Sequence, residues 1–149
     1  MTEPLSVSEV YFPEGLVGCP DWQRFALDRS AELAPIVLLN STEQAGLALP
    51  AVSPWLVDLE YAPQLSEADR LALQPADDAD LEWLAILNIQ AEPPLMTANL
   101  LGPLVINRRT GIGRQVILSL SGYSAARPVG ATPLPAQSEV SYAGADAAA

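Results

Sequence analysis

The stretch from Thr97 to Leu118, TANLLGPLVINRRTGIGRQVIL, narrows the possible folds of this chain more than any other. Leu104 and Ile106 alternate with Val105 and Asn107, the run Arg108 to Gly113 interrupts, and Val116, Leu118 and Leu120 resume the alternation. A two-residue period on both sides of a glycine-bearing break describes a strand, a reversal and a second strand. Gly111 and Gly113 can adopt positive φ without a Cβ clash, which makes a tight turn sterically cheap. Pro103 carries no amide hydrogen and suits the first position of a strand.

Shorter strand signals precede the hairpin. Ser8–Phe12, Gln23–Leu27, Pro35–Asn40 and Ala45–Val52 read as short strands separated by turn residues, and Pro35–Asn40 has the continuous apolar character of a doubly covered strand. From Leu56 the letters alternate again, with Val57, Leu59 and Tyr61 on one side and Asp58 and Glu60 on the other, so a half-buried strand with two solvent-facing carboxylates is expected. Leu65–Gln74 is the expected helix: Ser66 caps it, Asp69 has capping-box spacing and Pro75 stops it. An acidic run of Asp77, Asp78, Asp80 and Glu82 leads into Trp83–Ala91, a central strand, and Glu92, Pro93 and Pro94 break the chain before the hairpin. The pattern predicts an all-β fold, a small antiparallel β-barrel-like domain with one or two short helices, over residues 1–123. Residues 124–149, rich in Pro, Ala, Gly and Ser, are expected to form a flexible tail.

Charge narrows the range of partners. The 149 residues carry a net charge of −11, and sixteen acidic against three basic residues precede Arg108, a net of −13 for that part. Four arginines lie between Arg108 and Arg127. Direct nucleic-acid binding draws its affinity from neutralising phosphates with Lys and Arg, so a surface this acidic is not expected to bind RNA or DNA itself. Cys19 is the single cysteine, so no intrachain disulfide can form, and no apolar run approaches the ~18 residues a membrane span needs. A cytoplasmic protein is expected.

Catalysis has few resources here. The chain has no histidine, and Cys19 therefore lacks the usual activating partner. Asp78, Asp80 and Glu82 imitate the start of a calcium loop, but Trp83 stands where glycine is required and Ile89 where a bidentate carboxylate is required. Gly111 and Gly113 imitate a dinucleotide fingerprint, yet Val116 replaces its third glycine and a strand follows. No metal or cofactor is expected. Paired carboxylates leave a carboxylate-dependent hydrolase as a remote alternative, requiring two facing acids in a cleft.

Ordered motifs along the chain resemble one family. Asn99 and Leu100, Pro103, Ile106 and Asn107, then Gly113, Arg114 and Gln115, and Val116, Ile117 and Leu118 match the pattern of the flagellar assembly factor FliW family. Phe12, Gly15, Gly18 and Phe25, the Pro35–Ser41 strand, Pro54 and WLAILNI fall in the same order. The resemblance implies a protein that is not an enzyme, that binds flagellin and, in a competing complex, the RNA-binding translational repressor CsrA, and that is a monomer when free. A secretion chaperone that binds flagellin alone is the alternative within that resemblance.

Two positions depart from the family pattern: Cys19 replaces an aromatic and Arg114 a lysine, which changes the shape of the cation but not its charge. The expected partner-facing residues are Asp58, Glu60, Asp77, Asp78 and Asp80, an acidic face, together with the motif residues Asn99, Asn107 and Arg114. For Asn99 and Asn107 a structural role, bonding neighbouring backbone, stands equally open.

Overall fold

The computed structural model describes residues 8–129. Nine strands and one α-helix follow in order: β1 Glu9–Tyr11, β2 Arg24–Asp28, β3 Val37–Ser41, β4 Ala48–Val52, α1 Glu67–Leu73, β5 Leu81–Ala91, β6 Pro94–Ala98, β7 Leu104–Asn107, β8 Gly113–Gln115 and β9 Arg127–Pro128. Strands β1 to β5 pair in sequence order, every ladder antiparallel. Strand β5 is the spine. One of its edges meets β4 at Ala85 and Ile86, while the other carries β7 along Leu81–Leu84 and β6 along Leu87–Ala91. β8 pairs with β7, and β9 with β6.

The curled sheet is barrel-like without closing as a continuous ladder. Its far ends meet at one step, where Tyr11 bridges Ile112 in parallel and its N–H donates to the Gly111 carbonyl at 2.8 Å. Both faces of the spine's largely apolar first half, Leu81 to Leu87, are buried or half-buried, while Asn88 to Ala91 are exposed. Leu84, Leu104 and Ile106 join Val10, Phe12, Phe25, Leu39 and Ala51 in one core. Leu81, Ala85, Leu87 and Val105 face the opposite way and pack with Val52, Tyr61, Leu73, Leu100, Val116 and Leu118. Helix α1 covers this second face through Leu73. Its capping box is present, with Asp69 N–H donating to Ser66 Oγ at 3.1 Å, and Gln74 ends it in left-handed geometry at φ 49° before Pro75.

Several expectations change in detail. No strand runs from Val57 to Tyr61: Pro54–Leu56 is a 3-10 turn, Val57 and Asp58 N–H both donate to the Pro54 carbonyl at 3.0 Å, and Asp58 Oδ1 accepts Glu60 N–H at 3.0 Å. Local turn bonds hold the backbone that the alternation assigns to a sheet, and Leu59 ends 87% exposed. The two prolines at 93–94 do not separate β5 from the hairpin; they turn β5 back on itself as β6, with Pro94 at the strand's first position. Strand β8 ends at Gln115, after which Val116 and Leu118 remain buried by bonding the carbonyls of Pro103 and Leu101 at 2.9 Å.

Only Gly111, at φ 79°, uses its conformational freedom in the β7–β8 turn. Gly113 serves a different need, since a Cβ there would lie 2.6 Å from the Phe12 ring. At the carboxyl side, Ser124 to Val129 are docked on the body rather than in the tail: Leu100 N–H donates to the Ser124 carbonyl at 2.9 Å, β9 pairs with β6, and Val129 N–H donates to the Met96 carbonyl at 2.9 Å. The remainder of the expected tail, 130–149, lies outside the described residues.

Candidate protein-binding surface

Fifteen carboxylates and all seven arginines fall among the described residues, and every arginine lies within ion-pair distance of an acid of the same chain, five of them hydrogen-bonded to it. Arg29 grips Glu82 through both carboxylate oxygens, at 2.8 and 2.6 Å, and the hydrogen bond to Glu82 raises its pKa against the opposing effect of burial. Arg108 approaches the same carboxylate at 3.9 Å, and Arg24 reaches Glu43 at 3.8 Å. The remaining negative charges, Glu60, Glu67, Asp77 and Glu92 among them, have no arginine partner.

The five acids expected on one face have unequal roles. Glu60 is exposed and unpaired. Asp77 is exposed and accepts Ala79 N–H at 2.9 Å, which opens the 3-10 turn Asp78–Asp80. Asp78 is also exposed, but Arg70 holds it at 2.7 and 3.1 Å, and that hydrogen bond lowers its pKa. Asp58 is bonded by Arg127 at 3.2 Å and is largely covered. Asp80 departs furthest from expectation: its side chain is 4% exposed and Arg109 Nε donates to it at 2.8 Å, so it presents little charge outward. Arg127 was the partner a charge count could not supply, being 69 residues from Asp58.

The motif amides, one buried and one half-buried, bond the chain's own backbone. Asn107 is 2% exposed; its Nδ2 donates to the Leu73 carbonyl at 3.0 Å, fastening the end of α1 to the hairpin, and its Oδ1 accepts Arg109 N–H at 2.9 Å. Buried in this way, Asn107 fills the structural role that the sequence left open beside a direct partner contact. Asn99 Oδ1 accepts Gly102 N–H at 2.8 Å, while Gln115 Nε2 donates to the Gly102 carbonyl at 2.9 Å. Those bonds hold the bulge between β6 and β7. Arg114 bridges two carboxylates, Asp69 at 2.8 Å and Glu14 at 2.7 Å, and is partly covered. The pair of bonds raises its pKa although burial, the largest single influence, acts to lower it.

Three open grooves adjoin these residues. The largest, about 800 Å³, runs between the 62–66 loop, the start of α1 and the segment from Arg114 to Tyr123. A second, about 500 Å³, is lined by Trp55, Tyr61, Arg70, Asp78 and Trp83, and brings Asp78 beside an aromatic cluster. Trp55 is half-buried there, its Nε1–H donating to the Tyr61 carbonyl at 2.8 Å and its ring edge-on to Trp83. The smallest, about 250 Å³, includes Glu14 and Arg114. Each groove contains one carboxylate, respectively Asp69, Asp78 and Glu14, and each of these is bonded to an arginine.

Among the described residues, no helix is long and apolar enough to cross a membrane and no cluster of three metal-binding side chains occurs.

Comparison with known proteins agrees with this arrangement. The family model described as FliW protein matches residues 3–129. A flagellar assembly factor FliW of Pseudothermotoga lettingae is 39% identical over 116 residues, 77% of this chain and 74% of that protein. One from Bacillus licheniformis is 34% identical over 121 residues, covering 81% and 85%. A crystal structure of the flagellar assembly factor FliW superposes with a TM-score of 0.75 at 26% identity, covering 87% of this chain and 88% of the other. The chain belongs to the FliW family of flagellar assembly factors.

Proposed function

We propose that this chain binds flagellin and, in a competing complex, the RNA-binding translational repressor CsrA, so that flagellin leaving the cytoplasm frees it to relieve repression. Family membership supports the flagellar role. The observation that carries the antagonist reading is the ion pairing of every arginine within the body, five by hydrogen bonds and Arg24 and Arg108 at 3.8 and 3.9 Å, which leaves the described surface with a net excess of carboxylate and its cations largely neutralised. Docked beside an RNA groove, such a surface repels the backbone over about one Debye length, ~8 Å at physiological salt. Glu60 and Asp77 are the charges best placed to act, because arginines offset Asp58, Asp78 and Asp80. A hydrolytic role is disfavoured by the geometry, which puts a single, arginine-bonded carboxylate in each groove.

A pull-down with purified CsrA, repeated with flagellin added, tests the proposal. CsrA is expected to be retained alone and displaced by flagellin; retention of flagellin only would favour the chaperone alternative, and retention of neither would overturn both. Combining Glu60→Lys with Asp77→Asn, which keeps the turn-capping acceptor, is expected to reduce release of RNA from CsrA several-fold while the melting temperature stays within about 2 °C.

A further inference from the structure

Four aromatic rings run in series through the second core and out to the surface. Trp83 meets Trp55 edge-on, with centroids 6.3 Å apart and planes at 83°, Trp55 meets Tyr61 at 5.6 Å and 73°, and Tyr61 lies 4.6 Å from Tyr123. The first three line the groove of about 500 Å³, together with Pro63, Arg70 and Asp78. Tyr61 is buried, whereas Trp55 and Trp83 are half-buried and keep part of their surface open to the groove.

Rings set nearly perpendicular leave a slot between one face and the next edge rather than a flat platform. A pyrrolidine ring is flat and rigid enough to enter such a slot, and a proline-containing segment is already extended, so it loses little conformational freedom on docking. Its backbone carbonyls are unbonded and need donors. Trp55 spends its Nε1–H on the Tyr61 carbonyl at 2.8 Å, but the Nε1–H of Trp83 has no acceptor among the described residues. Charge narrows the choice further. Helix α1 and the 3-10 turn Asp78–Asp80 with its cap Asp77 carry three exposed carboxylates, Glu67, Asp77 and Asp78, against the single exposed Arg70, which is bonded to Asp78 at 2.7 Å and leaves the other two uncompensated. A segment bearing cations is attracted there. The prolines at this chain's own ends lack that charge: residues 1–7 and 130–149 contain acids but no Lys or Arg. A second copy would bring another acidic body.

We propose that the groove lined by Trp55 and Trp83 is a docking site for an extended, proline-containing segment of another protein with Lys or Arg beside its prolines. The pyrrolidine rings enter between the indoles, Trp83 Nε1–H donates to a carbonyl of the segment, and the flanking cation meets Asp78 and Asp77. The proposal does not depend on the identity of the partners named above, and neither of them enters its test, so its failure leaves the proposed function standing.

Proton–nitrogen NMR on the full chain tests it, because the indole N–H signals of Trp55 and Trp83 report the groove while that of Trp22, packed on the other core, serves as the reference. A synthetic peptide of alternating Pro and Val flanked by Arg is expected to shift both groove signals saturably at about 1 mM or below and to leave Trp22 unmoved. Replacing its prolines by Ala, or its arginines by Glu, should weaken binding about tenfold. Trp83→Phe keeps a ring but removes the donor and should weaken the Arg-flanked peptide to a similar degree, with the Trp22 signal reporting an intact fold. Asp78→Asn alters an exposed side chain outside the core and should weaken it about threefold. Unshifted groove signals, equal affinity for either control peptide, or undiminished affinity in both variants would overturn the proposal. Contacts from Pro133 or Pro135 to the Trp55 and Trp83 rings before any peptide is added would assign the groove to the chain's own end, and groove signals that shift with protein concentration would assign it to a second copy; either result overturns it as well.

Discussion

Tyr61 is held from three directions. Its hydroxyl donates to the Leu100 carbonyl at 2.7 Å, its own carbonyl accepts Trp55 Nε1–H at 2.8 Å, and its ring lies 4.6 Å from that of Tyr123. Burial raises its pKa well above the ordinary phenol value, with Tyr123 adding to the effect. The unfolded chain releases this proton near pH 10 while the folded protein retains it, so above about pH 10 the folded state binds more protons and stability declines as pH rises toward the folded pKa. The urea midpoint is expected to fall along that alkaline limb. Tyr61→Phe should flatten the limb and, at neutral pH, cost about 1–3 kcal/mol because the buried Leu100 carbonyl loses its donor. Persistence of the full limb in the variant would reassign it to another group. Alternation alone marks Tyr61 as inward-facing, yet gives no sign that its neighbours form a turn, because the bonds from Val57 and Asp58 N–H to Pro54 obey local geometry that apolar spacing does not encode.

At the scale of elements, β7, its turn and α1 depend on Asn107. Its side chain supplies a donor to the last carbonyls of α1, those of Leu73 and Gln74, and an acceptor to Arg109 N–H, so one buried amide joins helix and hairpin. Asn107→Asp retains the acceptor but removes the donor, and is expected to destabilise the protein by about 1–3 kcal/mol in urea denaturation. Affinity for the proposed partners, measured well below the melting temperature, should be preserved; a selective loss of affinity with unchanged stability would place Asn107 in the interface. The helix and the hairpin were legible in the sequence because cap residues, Pro75 and a two-residue period act locally. The β5–β6 reversal was not, since Pro93 and Pro94 serve a tight turn as well as a hard break. β9 was illegible for a different reason: two residues, Arg127 and Pro128, owe their strand geometry wholly to β6. The candidate site was read as a sum of charges, whereas the pairs that redistribute it, such as Glu14 with Arg114, join residues 100 positions apart.

For the whole molecule, two electrostatic effects compete. Ion pairs at 3.2 Å or less, including Arg29 with Glu82, Arg109 with Asp80 and Arg127 with Asp58, act well inside any Debye length used in practice, while repulsion among unpaired carboxylates acts over longer distances. Exposed pairs contribute only about 0–1 kcal/mol each. Raising NaCl from about 0.01 to 0.15 M, which shortens the Debye length from ~30 to ~8 Å, is therefore expected to raise the melting temperature. A decrease would show that the arginine bonds outweigh the self-repulsion. The join of Tyr11 to Gly111 and Ile112, close to the Phe12 ring lodged against Gly113, sets a timetable for synthesis. A nascent chain can pair its first strand with β2 early, yet the outer edge of that strand stays unjoined until Gly113 has emerged from the ribosome, when the wall acquires its seam.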